Sequence, residues 1–245
     1  MFRFIYVIIT NLFRAPYIIT KMRYMADHYD KYSEQERYNF AKQVIRYMTD
    51  SGKIDTQSFG MENLPQYTGY IMTPNHQGKY DVLGIITAHE RPCSLVMDIS
   101  KSNTILVSEF VDLLKGKRMD INDVRQAMKI IHSVSKEVKN GKKYILFPEG
   151  GYEFNNRNHM KEFKAGSFKA AVVAKVPIVP VAIIDSYKVF NSFKIGRVIT
   201  QVHFLEPLYY EDYKGLRTPD IAAVVKSRIE EKIKEVKMQK IQRLF

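Results

Sequence analysis

From Gly69 onward, short apolar runs alternate with stretches whose apolar residues recur at helical spacing, and this alternation constrains the fold more than any other feature of the chain. Tyr70-Ile71-Met72, Ser94-Leu95-Val96-Met97 and residues 143–147 and 178–183 read as buried strands, too short for buried helices. Between them, residues 82–88, 103–114 and 166–176 read as helices. Asn122-Asp123 caps another, whose Val124, Met128, Ile131 and Val138 share one face and which ends at Asn140-Gly141. Pro177 and Pro180 put the strand over 178–183 at its own start or at an irregular edge. Thr218-Pro219-Asp220 opens a last helix, in which Ile221, Val225, Ile229, Ile233 and Val236 form the apolar stripe. The expected fold is α/β, a single mixed, largely parallel sheet flanked by helices, with substrate groups collected at strand ends.

The N-terminal part differs. Residues 2–13 are almost wholly apolar, but Arg14 and Pro16 follow, and a further triplet, Tyr17-Ile18-Ile19, meets Lys21 and Arg23. The uninterrupted run is well short of the ~20 residues that span a bilayer, and it lacks a small-x-small cleavage site. Two placements suit such a helix: in the headgroup plane of a membrane, with its cations reaching lipid phosphates, or packed on the core. Ser33-Glu34-Gln35-Glu36 is a capping box for a second helix, carrying Tyr38, Ala41, Ile45 and Met48 and stopping near Ser51-Gly52. The expectation is a two-helix, membrane-associating module over residues 1–52 and an α/β domain over 53–245.

A net charge of +12 narrows the partners to something polyanionic, or else serves only as a solubilising surface. Zinc spacings, a basic zipper and aromatic-basic strand motifs are all absent from the sequence, so no nucleic-acid partner is expected and an anionic membrane surface is. A single cysteine, Cys93, excludes an intramolecular disulfide framework and fits a reducing cytoplasm. Besides His76, the histidines show no metal-ligand spacing, and no metal site is expected.

The candidate chemistry starts at Asn75-His76-Gln77-Gly78-Lys79-Tyr80-Asp81. Five residues on a regular helix are about 140° apart, so His76 and Asp81 meet only if His76 lies on the loop before a helix and Asp81 in its first turn. Gly78 permits that bend. Asp81 then fixes the imidazole tautomer and leaves the other ring nitrogen as a general base. The same two residues also fit a helix cap beside an ordinary polar loop residue. What favours chemistry is the later block Leu146-Phe147-Pro148-Glu149-Gly150, an acid on a proline-fixed, glycine-opened turn at the end of a buried strand.

With Gly60-Met61-Glu62-Asn63-Leu64-Pro65 before them and Val176-Pro177-Ile178-Val179-Pro180-Val181 after, these blocks resemble the 1-acyl-glycerol-3-phosphate acyltransferases and their glycerolipid relatives, over roughly residues 60–205. The resemblance implies that His76 deprotonates an acceptor hydroxyl, oriented by Asp81, and that Pro148, Glu149 and Gly150 help bind the acceptor. It implies an acyl donor, acyl-CoA or acyl-carrier protein, a lysophospholipid acceptor converted to phosphatidic acid, and no bound cofactor. The location it implies is the cytoplasmic face of the cell membrane, with the protein peripheral or monotopic. Two blocks depart from the family. Gly116-Lys117-Arg118-Met119-Asp120-Ile121 carries Ile121 where the family has a phosphate-binding arginine, which makes Arg118 the substitute, with Lys164 as a second cation. Gly151-Tyr152-Glu153 stands where Thr-Arg-Ser is common. These departures keep other acceptors open: glycerol 3-phosphate, another lysophospholipid or an aminolipid. A non-catalytic, basic lipid-binding protein of the same fold is the rival from another class, and it has no need of the His76/Asp81 pair.

Overall fold

The strands expected near residues 70, 94, 143 and 178 all form, joined by three that the sequence did not announce. The computed structural model describes residues 2–153, 157–191 and 196–242. In chain order the elements begin α1 (Phe2–Thr10), α2 (Ala15–Asp27), α3 (Glu34–Gly52), β1 (Ile54–Phe59), β2 (Tyr70–Pro74), α4 (Asp81–Ala88), β3 (Ser94–Asp98), α5 (Ile99–Ser102) and α6 (Val107–Leu113). They continue β4 (Lys117–Met119), α7 (Val124–Lys139), β5 (Lys143–Ile145), α8 (Lys169–Ala174), β6 (Ile178–Ile184), α9 (Tyr187–Asn191), β7 (Val198–Phe204), α10 (Tyr210–Tyr213) and α11 (Thr218–Gln242). One seven-stranded sheet runs in the order β1-β7-β6-β2-β5-β3-β4.

All neighbouring strands are parallel except β6 and β7. The five strands from β6 to β4 therefore point one way and deliver their carboxyl ends to one edge of the sheet, while β1 and β7 run back. β2 lies between β5 and β6, so the segments leaving these three strands are neighbours at that edge, about 5 Å apart per strand step. Both β2 and β6 are buried at every residue, as strands covered on both faces must be.

The position of β6 corrects the expectation of an irregular edge. Pro180 is inside the sheet, but it faces Leu205, one residue past the end of β7, and its carbonyl accepts the Leu205 N–H at 3.0 Å. The missing proline donor thus falls off the end of the β6/β7 ladder, where it breaks no bond between the two strands.

The two helices expected over residues 1–52 are three. The apolar segment breaks after Thr10, and α1 and α2 meet at 83°. Pro16 sits in the first turn of α2, where its missing N–H is harmless, whereas a helix running through it would set its ring against the carbonyl one turn earlier. No single described helix is long and apolar enough to cross a membrane. Ile18, Met22 and Met25 of α2 and Tyr38, Ala41, Val44 and Ile45 of α3 are buried in the same cluster as Tyr70, Met72, Val179 and Val181 of the sheet. The opposite face of the sheet is covered by α7, α8 and α11, and Ile221, Val225, Ile229, Ile233 and Val236 of α11 are all buried there, as their spacing predicts.

One helix expectation is corrected. The stretch 103–114 is helical only from Val107, because the Glu109 carboxylate, gripped by Arg23 at 2.6 Å, accepts the Leu106 N–H and starts the helix there. In α7, Asp123 caps as expected and Ile131 and Val138 are buried, but Val124 and Met128 are exposed.

Candidate active site

His76 leaves the end of β2 and is set by its neighbours before its side chain does anything. The Asn75 side chain bonds both ways to the Ile183 backbone, accepting its N–H at 2.7 Å and donating to its carbonyl at 3.0 Å, so the loop is tied to β6. The His76 N–H donates to Glu149 Oε1 at 2.7 Å, which ties it to the segment after β5. The ring itself lies between two aromatic walls, 4.2 Å from the Phe147 centroid and 4.8 Å from that of half-buried Tyr152.

Asp81 opens α4, as the geometry of the pair requires, and it is 1% exposed. Its Oδ2 lies 2.7 Å from His76 Nδ1 and accepts the N–H groups of Gln77 at 2.5 Å and Gly78 at 2.9 Å. Its Oδ1 accepts the hydroxyl of Ser186. A carboxylate so engaged accepts from the imidazole, so Nδ1 carries the proton and Nε2 is left with a free lone pair. Gly78 does not make the bend by conformational freedom: its φ is not left-handed, and a Cβ there would meet only Tyr187 Cα at 3.9 Å. The turn is held instead by backbone donors converging on Asp81.

Glu149 is engaged by backbone donors. It is 3% exposed, and its two oxygens accept backbone donors, His76 N–H on one and Lys161 N–H at 2.9 Å on the other. Burial raises its pKa above the ordinary carboxylate value, and the two N–H groups pull against that rise. Its carboxylate is thus a clasp between the base loop and the segment at 161.

Beside it, Pro148 accepts the Lys164 N–H at 2.9 Å, and Gly150 and Gly151 take left-handed φ values of 69° and 146°. A side chain at Gly150 would collide with the Lys164 ammonium, 2.7 Å from the place of its Cβ. The bare glycine is what lets that exposed cation lie against the loop.

Arg118 is not brought to the dyad. It sits on β4, the far edge strand, three strand steps or about 14 Å from β2. Its guanidinium pairs with Asp112 at 2.6 Å and reaches the Ser108 hydroxyl at 3.0 Å, both outside the site. His76, Asp81, Pro148, Glu149, Gly150 and Lys164 do converge. Sequence reasoning missed Ser186, together with Gln77 and Asn158, whose amides bond each other at 2.7 Å and link the base loop to the segment after Tyr152. Ser186 and Asn158 have no spacing relation to His76 that a sequence could advertise, and Gln77, though adjacent to it, has partners far along the chain.

Known proteins are similar to this chain along the same segment. The yeast (Saccharomyces cerevisiae) 1-acyl-sn-glycerol-3-phosphate acyltransferase is 26% identical over 191 residues, 75% of this chain and 61% of the relative. The Escherichia coli protein of the same name is 28% identical over 174 residues, 69% of each chain. The alpha form of Mus musculus is 29% identical over 182 residues, 69% of this chain and 59% of its own. The chain thus spans about three-fifths of the yeast and mouse relatives. The solved structure of the 1-acyl-sn-glycerophosphate acyltransferase PlsC from Thermotoga maritima shares the fold with a TM-score of 0.68, covering 93% of this chain and 98% of that one at 18% identity. A model of the Acyltransferase family matches residues 56–184, from β1 through the base loop to the end of β6. By that match, which takes in more than half of its residues, the chain belongs to the Acyltransferase family.

Proposed function

We propose that the protein moves a fatty acyl group from a thioester donor, acyl-CoA or acyl-carrier protein, to the free hydroxyl of 1-acyl-glycerol 3-phosphate, giving phosphatidic acid. The observation that carries this reading is the buried Asp81 on His76 Nδ1, which leaves Nε2 as a base at the end of β2. Nε2 takes the hydroxyl proton as the oxygen attacks the thioester carbonyl carbon. When the C–S bond breaks, the imidazolium returns that proton to the departing thiolate, so no acyl-enzyme is needed. Cys93 supports direct transfer, because it is buried and burial pushes its thiol pKa up to about 12. The names of the yeast, bacterial and mouse relatives support the acceptor. Lys164, whose ammonium lies against Gly150, is the cation this reading assigns to its phosphate.

Phe2, Ile5, Ile8, Ile9, Leu12, Phe13 and Tyr17 are exposed on α1, α2 and the bend between them. With the net charge of +12 they support a peripheral or monotopic protein on an anionic membrane surface, and this reading puts it at the cytoplasmic face of the cell membrane, where its lipid substrate would reside. A second acceptor class is favoured by two observations: Arg118 is engaged by Asp112, and Tyr152 packs on the base at the acceptor loop. Thiol release from the donor, with lysophosphatidic acid in anionic vesicles, tests the reading. The parent protein is expected to form phosphatidic acid, and His76→Ala to lose about a thousandfold in rate. Turnover on glycerol 3-phosphate or another lysolipid instead would move the assignment to the second acceptor class. Undiminished product from His76→Ala would end it.

A further inference from the structure

Asp81 is held unevenly. Its Oδ2 carries three donors, all from the base loop itself: the His76 ring, the Gln77 N–H and the Gly78 N–H. A carboxylate gripped through one oxygen keeps its freedom to turn about the bond to Cβ, and a turn carries the lone pair away from the imidazole. Among the described residues the donor to the other oxygen is Ser186, from the end of β6. Ser186 is 2% exposed, so its hydroxyl is held away from bulk solvent.

The segment carrying Ser186 is built to stay in place. Asp185, before it, takes φ 63°, a left-handed conformation that costs a residue with a Cβ. Four bonds hold it there: Asn158 Nδ2 donates to its carboxylate at 3.0 Å and Asn158 Oδ1 accepts its N–H at 3.1 Å. Lys188 and Lys240 pair with its other oxygen at 2.9 and 2.7 Å. On the far side, α9 sets Phe190 against Tyr80, the residue before Asp81, at 5.8 Å. The Gln77 amide donates to Ile183 O at 2.9 Å, so the base loop and the Ser186 segment are bonded directly as well.

We propose that Ser186 is a positioning residue of the acyl-transfer site: its hydroxyl, donated to Asp81 Oδ1, locks the carboxylate in the plane that keeps His76 in the Nδ1–H tautomer. The proposal rests on the acyltransferase reading for its rate effect, though not for its geometry. It gives Ser186 no nucleophilic part, because its proton goes to Asp81 and not to His76. Its influence on the substrate passes through two other side chains, so it acts on the chemical step and leaves acceptor binding alone.

The test uses Ser186→Ala and Ser186→Thr, each in the parent protein and in Asp81→Asn, with kcat and acceptor KM measured on whichever acceptor the parent protein uses. Ser186→Ala is expected to lower kcat about tenfold with KM unchanged. Thr keeps the hydroxyl and is expected to restore most of the rate. In the Asp81→Asn background Ser186→Ala is expected to cost nothing more, since the group it positions is gone. A loss of equal size in both backgrounds, or a loss in KM alone, would overturn the proposal. A second readout needs no turnover: the 15N spectrum of the imidazoles, with the His76 signal assigned by its disappearance in His76→Asn. The parent is expected to show the single Nδ1–H tautomer, and Ser186→Ala a tautomer mixture. An unchanged spectrum overturns the idea even in a protein that acylates nothing offered to it, a result that would by itself sink only the functional reading.

Discussion

Glu149 carries a distinction that sequence cannot make, between an acid that touches substrate and one that shapes the base. Both of its oxygens are acceptors for backbone N–H groups, one of them on His76 itself. Glutamine, the usual neutral replacement, has one carbonyl oxygen and one NH2 group, so in either orientation it turns a donor against a donor. Glu149→Gln is therefore expected to behave as a severe change, with the rate down about a hundredfold and the protein destabilised by about 2 kcal/mol, the scale of a buried donor left unpaired. Urea unfolding beside kcat checks it, and a variant with parental stability and a raised acceptor KM would return Glu149 to the substrate. The residues that converge here were legible because strand ends and glycine turns are local signals. Arg118 misled because its fate depends on Asp112, six residues earlier on another element, which reaches the guanidinium first. Ser186 and Asn158 were invisible because their partners, adjacent at the strand ends, lie 105 and 81 residues away in sequence.

Elements announced themselves in proportion to how apolar they are. β2 and β6 are buried throughout and were read directly, whereas β1 is an edge strand with Ile54 as its one buried residue, and the polar Asp-Thr-Gln-Ser between its ends carries no strand signal. β4 has three half-buried residues, and β7 mixes buried and open positions. The N-terminal apolar segment misled in the other direction, its composition reading as one helix although Pro16 divides it. That break sorts its residues by role: Val7 is buried, and Arg3 is buried with its guanidinium donating to the Gly52 carbonyl at 2.7 Å, while Ile9 and Phe13 stand open. Ile9→Asp with Phe13→Asp is accordingly expected to weaken binding to anionic vesicles by tenfold or more. Each large apolar side chain contributes about 2 kcal/mol when buried, and the melting temperature should stay unchanged. Val7→Asp should instead destabilise the fold. Vesicle sedimentation with thermal unfolding separates these outcomes, and parental vesicle binding by the double variant would remove α1 and the bend from the membrane contact.

At the scale of the whole molecule, the alternation of strand and helix was enough for the α/β class, but it held no sign that β7 turns back against β6. That reversal places His203 two strands from β2, opposite Ala182 of β6 and stacked on Phe59 of β1 at 4.5 Å. His89, at the end of α4, is enclosed between the Tyr70 hydroxyl and the Arg91 carbonyl, each at 2.6 Å. Burial lowers the pKa of both rings from 6.5 to about 4. A lowered histidine pKa means that the unfolded chain takes up the proton first, so stability is whole above about pH 6.5 and falls as the pH drops towards 4. At pH 5 the loss is about 2 kcal/mol for each ring, a large share of an ordinary 5–15 kcal/mol. Glu137 acts in a lower window: burial pushes its pKa up, but Lys117, Lys142 and Tyr144 outweigh that and bring it to about 2, so its contribution is lost only as the pH falls below about 4.5. Urea unfolding at pH 7 and pH 5 should therefore show a drop in the parent protein that His203→Gln reduces by about 2 kcal/mol. The same variant should leave the pH dependence of acyl transfer untouched, because the His203 ring bonds Gln201 and stacks on Phe59 and touches neither His76 nor Asp81. An identical drop in parent and variant would mean that His203 takes up its proton as readily in the folded protein as in the unfolded chain.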